Sequence, residues 1–294
     1  MISPKVAPNP SSADPRACYL CGSSAIKIVV ANPSYSFKTC SACGFRMQHP
    51  LPDPEEEAKL YDDDFYAVRE LQLGLDEQDA MVRTLIDSRV NLLAELNGGR
   101  GSLLDVGAGT GLFVEAARRA GWNATGIETS AAGVRIASRL TSAPVTQRRL
   151  EDVDESGVYD AVTMWDVLEH IADPRAALVI CRRLLKPRGL VAISLPNMAG
   201  FKARMLGKRW RYYRREFGHL SHFSPRTLSE LLRQSGYSTL VIRTAGFFNL
   251  GRPFGLQPAQ VRRARVLGAI QAAADSAVGR AGMGEDLVAV ARGV

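Results

Sequence analysis

Leu103-Leu104-Asp105-Val106-Gly107-Ala108-Gly109-Thr110-Gly111 decides the fold of this 294-residue chain. A short apolar strand carrying one acid runs into three glycines at alternate positions, and Leu112-Phe113-Val114-Glu115-Ala116-Ala117 starts a helical pattern at once. Such a turn lets a ligand approach bare backbone, and the helix start offers free N–H groups. Glu128 closes a second strand, NATGIET, 21 residues after Gly107. A carboxylate there can accept both ribose hydroxyls of a nucleoside, as in doubly wound sheets generally. The dinucleotide fingerprint is G-x-G-x-x-G. Here the order is G-x-G-x-G, with Leu112 where the third glycine belongs, which weakens a pyrophosphate reading.

Outward from this turn the rhythm of strand and helix continues. Strands are expected at 144–148, 158–165, 189–195, 238–245 and in DLVAVAR near the C-terminus. Helices are expected at about 77–96, 112–121, 131–140, 173–185, 225–235 and 258–280. Alternation of this kind argues an α/β fold, a doubly wound, Rossmann-like and mostly parallel seven-stranded sheet.

The domain organisation follows from shifts in composition. Residues 1–15 hold four prolines among Ser, Ala and Asn and read as a flexible leader. Residues 16–50 carry four cysteines as a small module, 51–98 are an acidic, turn-rich and then helical linker or lid, and 99–294 are the nucleoside-binding domain, with an insertion at about 200–224. Hydrophobic residues at 46% and charged residues at 23% are ordinary for a globular chain. Uncharged stretches reach only about a dozen residues against the roughly 20 a membrane span needs, and the proline-rich start lacks the apolar run of a signal peptide. The expectation is a cytoplasmic, soluble protein. A net charge of +7 suits an acidic partner without naming one.

Cys18-x2-Cys21 and Cys40-x2-Cys43 stand 18 residues apart, the spacing of a structural zinc site. Gly22 and Gly44 each follow the second cysteine of a pair, where a tight knuckle turn falls. Two disulfides or four free thiols are the alternatives. Four thiolates would close the shell of a zinc ion, which speaks against a catalytic metal there. Cys181, alone in a helical pattern, reads as core.

LLDVGAGTGLF (103–113), GIE (126–128), YDAVTMWDVLEHIADP (159–174) and LLKPRGLVAISLPN (184–197) together resemble the class I S-adenosylmethionine-dependent methyltransferases. The resemblance runs over about residues 100–250 and is nearest to the branch of ubiquinone-biosynthesis O-methyltransferases and of natural-product and glycan methyltransferases. It implies that Asp105, Gly107, Gly109 and Gly111 line the methionine and ribose part of S-adenosylmethionine and that Glu128 holds the ribose hydroxyls. It places Leu150 and Glu151 at adenine, with Arg149 where many relatives have an acid, and Trp165 and Asp166 beside the sulfonium. Zinc-binding N-terminal modules also occur on such small-molecule enzymes, where they help wall the acceptor site. The resemblance therefore implies a small-molecule or glycosidic acceptor methylated on oxygen. Methylation on nitrogen or carbon is the rival within the class, and an RNA-binding or RNA-modifying protein is the rival from another class.

Three features leave alternatives open. Asp166, Glu169 and His170 either cap a strand or gather a divalent ion, since quinone-type relatives carry a similar acid-x-x-Glu-His arrangement. His219 and His222, in a loop before the helix that Ser224-Pro225 starts, either hydrogen-bond the loop or serve as base to the acceptor. Between Phe201 and Phe217, Arg211, Tyr212, Arg214 and Arg215 stand among further basic and aromatic residues. This stretch is either a solvated helix or the grip on an anionic acceptor.

Overall fold

The computed structural model describes residues 17–53, 80–214, 217–245 and 282–294. The expected leader, most of the acidic stretch, the helical run at 258–280 and Arg215 lie outside the described residues. Three strands come first: β1 (Ile26–Ala31), β2 (Ser36–Cys40) and β3 (Arg46–His49), paired antiparallel in order. Helix α1 (Ala80–Asn97) precedes β4 (Ser102–Val106). Then follow α2 (Leu112–Arg119), β5 (Asn123–Glu128), α3 (Ala131–Leu140), β6 (Val145–Gln147), β7 (Tyr159–Trp165), α4 (Pro174–Leu184) and β8 (Leu185–Pro196). The chain continues through α5 (Phe201–Leu206), β9 (Ser221–His222), α6 (Pro225–Gln234), β10 (Tyr237–Ala245) and β11 (Asp286–Gly293).

The larger sheet has seven strands in the order β10-β11-β8-β7-β4-β5-β6, the expected mostly parallel architecture. β4 to β8 run parallel, and β11 is antiparallel to both its neighbours. Strands covered on both faces are apolar along their whole length. Leu104, Val106, Val162, Met164, Val191 and Ile193 turn to one core, and Leu103, Ala161, Leu190, Ala192 and Val290 to the other. The helices that cover these faces start where their sequences dictate. Asp173 accepts the Ala176 N–H ahead of Pro174, and Ser224 and Thr227 form a reciprocal capping box ahead of Pro225.

β8 begins at Leu185, earlier than the expected 189. Its register against β7 slips between the pairs Tyr159↔Leu185 and Ala161↔Leu190, and Arg188 takes a positive φ of 64°. Lys186, Pro187 and Arg188 are thus bulged out of a ladder in which Pro187 has no N–H to donate.

The cysteine module does not stand apart from the larger domain. β9 adds to β3 as the fourth strand of its sheet, with Arg46 opposite His222 and Met47 opposite Ser221. Tyr19 donates to the Asp173 carboxylate at 2.5 Å and accepts the Arg175 N–H at 2.9 Å, and Gln234 donates to the Leu20 carbonyl at 3.1 Å. Cys18, Leu20, Cys40 and Phe45 share one apolar cluster with the sheet. The histidine segment, read from sequence as loop, is held in a strand pair at its second histidine.

Candidate functional site

At the carboxyl end of β4 the three glycines take φ of 68°, 52° and 78°, a backbone that residues with a side chain rarely adopt. Gly107 and Ala108 donate to the Ile127 carbonyl at 2.9 and 3.0 Å, which ties the turn to β5. A Cβ on Gly107 would lie 2.6 Å from a Val167 methyl, so that glycine is required by packing. A Cβ on Gly109 would meet nothing within 4 Å, so this glycine opens onto free space. Glu128 stands at the rim of that space, accepting the Gly109 N–H at 2.9 Å on one oxygen and the Ser130 N–H at 2.9 Å on the other. The Thr129 hydroxyl also donates to the second oxygen at 3.3 Å, and the first keeps capacity for a further donor. Here the residues fit a nucleoside.

Asp105 is buried, opposite Thr163 in the β4–β7 register, and accepts its hydroxyl at 2.6 Å. Burial pushes this carboxyl up to about 7, against the pull of the Thr163 hydrogen bond and of Arg89. Arg89, which the sequence reading did not single out, reaches in from α1. Its guanidinium lies 4.4 Å from the Trp165 ring centroid and donates to Ser194 at 3.1 Å. Burial draws its pKa down, while Asp166, Asp286 and Asp105 draw it back. Its only sequence signal was an arginine amid an apolar helical pattern.

Trp165 packs edge-on against Phe113 at 5.0 Å, and its indole N–H is buried without a partner. Asp166 follows at a positive φ of 57°, its N–H donated to the Ser194 carbonyl. Leu150 is buried in a short 3-10 turn, Leu150–Asp152, beyond β6. Glu151, in the same turn, is exposed and 3.5 Å from Arg149. That exposed pair would relate weakly to a buried base, whereas Leu150 offers it apolar surface.

Facing this edge is a second constellation. Glu169 is 1% exposed, and neither of its carboxylate oxygens has a hydrogen-bond partner. Burial, then the charge of Asp166, holds it well above the usual carboxylate range. The Nε2 atoms of His170 and His219 both lie 3.9 Å from one of its oxygens. His170 Nδ1 donates to the Gly218 carbonyl at 3.1 Å. His219 stacks flat on Tyr212 at 4.8 Å, and its Nδ1 is buried without a partner. Burial, then the neighbouring His170, His222 and Arg211, lowers His219 well below an ordinary imidazole. Arg211 completes the stack, donating to the Tyr212 hydroxyl at 2.7 Å.

His222 lies elsewhere. It is 1% exposed and packed by Phe37, Tyr213 and Trp210 at 4.8, 4.8 and 5.5 Å. The structure therefore joins Arg211, Tyr212 and His219, leaves Arg214 exposed at the end of a short turn, and puts His222 into an aromatic core. Glu169, His170 and His219 offer one ligand atom each within 4.8 Å of one another, a donor set that divalent ions also use, and Asp166 is not part of it.

In the N-terminal module the four cysteines converge. Cys18 and Cys43 sulfurs stand 3.6 Å apart, as do those of Cys21 and Cys40. A disulfide needs about 2.05 Å, whereas thiolates at about 2.3 Å from a tetrahedral zinc stand roughly 3.8 Å from each other. The Phe45 N–H points to the Cys43 sulfur at 3.4 Å, as in a knuckle. The donor set fits zinc.

The fold and the glycine turn with its two acids define a class, the Rossmann-like methyltransferases. The chain belongs to the methyltransferase domain family, whose model matches residues 78–241. It is 38% identical over 120 residues to a ubiquinone biosynthesis O-methyltransferase of Alkalilimnicola ehrlichii, covering 38% of this chain and 47% of that protein. It is 34% identical over 158 residues to the Xanthomonas oryzae protein of the same description, covering 50% and 65%. The chain thus spans less than two thirds of the length of these curated relatives.

Among solved structures, the 1,6-didemethyltoxoflavin-N1-methyltransferase of Burkholderia thailandensis superposes over 91% of this chain and 99% of its own, with a TM-score of 0.53 at 17% identity. An S-adenosylmethionine-dependent methyltransferase from Archaeoglobus fulgidus covers 71% and 94%, with a TM-score of 0.51 at 20% identity. At such identities the likeness is one of fold. No helix among the described residues is long and apolar enough to cross a membrane.

Proposed function

We propose that this chain transfers the methyl group of S-adenosylmethionine to an oxygen of a small or glycosidic acceptor, with His219 as the base. The observation that carries this reading is a neutral histidine with an unpartnered ring nitrogen, set at the same end of the sheet as an open nucleoside cradle. The O-methyltransferases among the relatives support oxygen as the accepting atom.

Bound S-adenosylmethionine supplies a methyl already activated as a sulfonium, so the chain has only to align the acceptor and exclude water. In this reading Glu128 takes the ribose hydroxyls, the glycine turn and Asp105 carry the methionine and ribose part, and Leu150 covers the base. Trp165 and Asp166 border the reacting centre, and Arg89 meets the cofactor's carboxylate. His219 accepts the acceptor's hydroxyl proton, and the Glu169 carboxyl, 3.9 Å from its Nε2, lies beside the ring. Arg211 and Tyr212 hold the ring of His219 and orient the acceptor. Arg214 and Arg215 belong to the same basic stretch.

One zinc, held by Cys18, Cys21, Cys40 and Cys43, would fix the module that supplies β3 to β9. Metal analysis should give one zinc per chain. A metal-free, fully folded chain would contradict it. A second reading of the histidine cluster rests on the two unpartnered oxygens of Glu169: with His170 and His219 they would hold a divalent ion. A second metal equivalent lost in Glu169→Gln would establish that reading.

The test of the function is labelled S-adenosylmethionine offered with fractionated small molecules and with RNA. Label in a methyl ether of the small-molecule fraction is the expected result. Label on nitrogen or carbon would move the accepting atom, and label in RNA, with binding that falls steeply with salt, would overturn the class of acceptor.

A further inference from the structure

Between the cysteine module and α5 lies a cleft of about 290 Å³ that the methyl-transfer reading leaves unused. Its walls include Val30 of β1, Arg46 of β3, Met198, and Arg204, Lys208 and Tyr213 of the segment after β8. Three of its described lining residues are cationic and none is acidic. Arg46, Arg204 and Lys208 have no carboxylate within ion-pair distance among the described residues. Lys202, on the same helix as Arg204, is by contrast paired with Glu285 at 2.8 Å.

Arg46 is the informative member. It is largely buried, and burial draws its pKa down to about 10, with no neighbouring acid to offset the cost. Its Nε donates to the Thr39 hydroxyl, and the guanidinium lies 5.2 Å from the Tyr213 ring centroid. The side chain is therefore fixed, with its two terminal nitrogens left as a fork. A fixed guanidinium fork matches the oxygens of a phosphoryl group. Like charges gathered around one cavity repel each other, and an anion in the cavity removes that cost.

The rest of the lining limits what the anion is attached to. Val29, at the irregularity in β1, together with Val30, Met198 and Ala203, adds apolar surface beside the cations. At about 290 Å³ the cleft stands at the lower end of ligand sites, so it suits a handle rather than a whole large molecule. Tyr213 is the shared wall. Its ring meets both the Arg46 guanidinium and, edge-on, His222, which lies 6.0 Å ring to ring from His219.

We propose that this cleft binds a phosphoryl group carried by the methyl acceptor, gripped by Arg46, Arg204 and Lys208 across the seam between the cysteine module and the larger domain. The link to the acceptor rests on the small-molecule reading above; the anion site itself is tested without methyl transfer.

Inorganic pyrophosphate is titrated calorimetrically into the full chain at fixed ionic strength, with malonate as a dicarboxylate control and a short RNA alongside. Pyrophosphate should bind at about one site per chain, and more tightly than malonate. Arg46→Gln, and separately Arg204→Gln with Lys208→Gln, should each weaken it about tenfold or more, as loss of charged hydrogen bonds does. S-adenosylmethionine affinity should stay unchanged. Arg204 and Lys208 are exposed, so the double variant keeps the test valid if Arg46→Gln fails to fold. Unchanged pyrophosphate affinity in a folded double variant would overturn the proposal, as would equal binding of malonate. An RNA complex lost in that variant, without any pyrophosphate binding, would also overturn it. Pyrophosphate binding without any response to S-adenosylmethionine would instead leave the cleft standing and remove the methyltransferase reading.

Discussion

The two sides of the site are built in opposite ways. On the cofactor side the two acids are satisfied from within: Glu128 takes two backbone N–H groups and Asp105 takes a buried hydroxyl. On the facing side both oxygens of the acid Glu169 are buried without partners, as are Nδ1 of His219, Nε2 of His222 and the Ser221 hydroxyl. Buried polar atoms are normally hydrogen-bonded, and each one left over costs about 1–3 kcal/mol. Under the proposed function, the first side holds its acids ready for a fixed ligand. The second side would be completed by what it binds.

The largest expected effect breaks the comparison at its reactive point. His219→Ala should lower kcat by about 10²–10⁴-fold, the range of general-base assistance. S-adenosylmethionine affinity should be nearly unchanged, as calorimetry beside single-turnover kinetics will read. Burial places His219 well below the ordinary imidazole value of 6.5, so its free-base form persists into acid. The acid limb of the kcat profile in wild type should accordingly fall below pH 6.5. A limb at or above that value would assign the base to another group.

Asp105 offers the next largest effect, on stability. Its folded pKa of about 7 stands above the ordinary 3.8, so the folded state holds the proton more tightly. The stability this group contributes is complete below about pH 4 and is lost as pH rises through about 7. Asp105→Asn keeps an acceptor for Thr163 and removes the buried charge. Denaturant melts of the cofactor-free chain should show the variant more stable at pH 8 by up to about 4 kcal/mol, with the gain gone at pH 4. Its affinity for S-adenosylmethionine should fall. Equal melts at both pH values would show that Asp105 is not buried as a charge.

Replacing His222 separates the two histidines. His222→Ala removes the centre of the Phe37, Trp210 and Tyr213 cluster and should destabilise the chain by about 2–3 kcal/mol, like other large-to-small core changes. Turnover of the remaining folded fraction should change far less than in His219→Ala. The smallest effect is at Arg211, whose removal should raise KM severalfold with kcat little altered, the signature of uniform binding.

These contrasts explain what the sequence made legible. The cofactor side is written in backbone terms: glycines at set intervals, an acid closing the next strand, apolar runs for buried parallel strands. Each is local, so the turn at 107–111, Glu128 and the mostly parallel seven-stranded sheet could be read without coordinates, while the order of its strands came only with the fold. The acceptor side is assembled from distant segments. Nothing local about Ser221-His222 announces a strand, because its partner is Arg46-Met47 of the cysteine module, far away in sequence. The roles of His219 and His222 could not be told apart for the same reason. Aromatic residues from 37, 210 and 213 bury one of them, while Glu169 and Tyr212 flank the other. Arg89 escaped because a lone arginine in a helix carries no motif; only the fold brings it over Trp165.

Calorimetric titration of S-adenosylmethionine into the chain and into Glu128→Ala tests the central claim most directly, with NAD as the comparison ligand. The account predicts one site for S-adenosylmethionine, no heat from NAD, and affinity about tenfold or more weaker in the variant, the loss expected for charged hydrogen bonds to the ribose. Tight NAD binding with no response to S-adenosylmethionine, or equal affinity in Glu128→Ala, would contradict it.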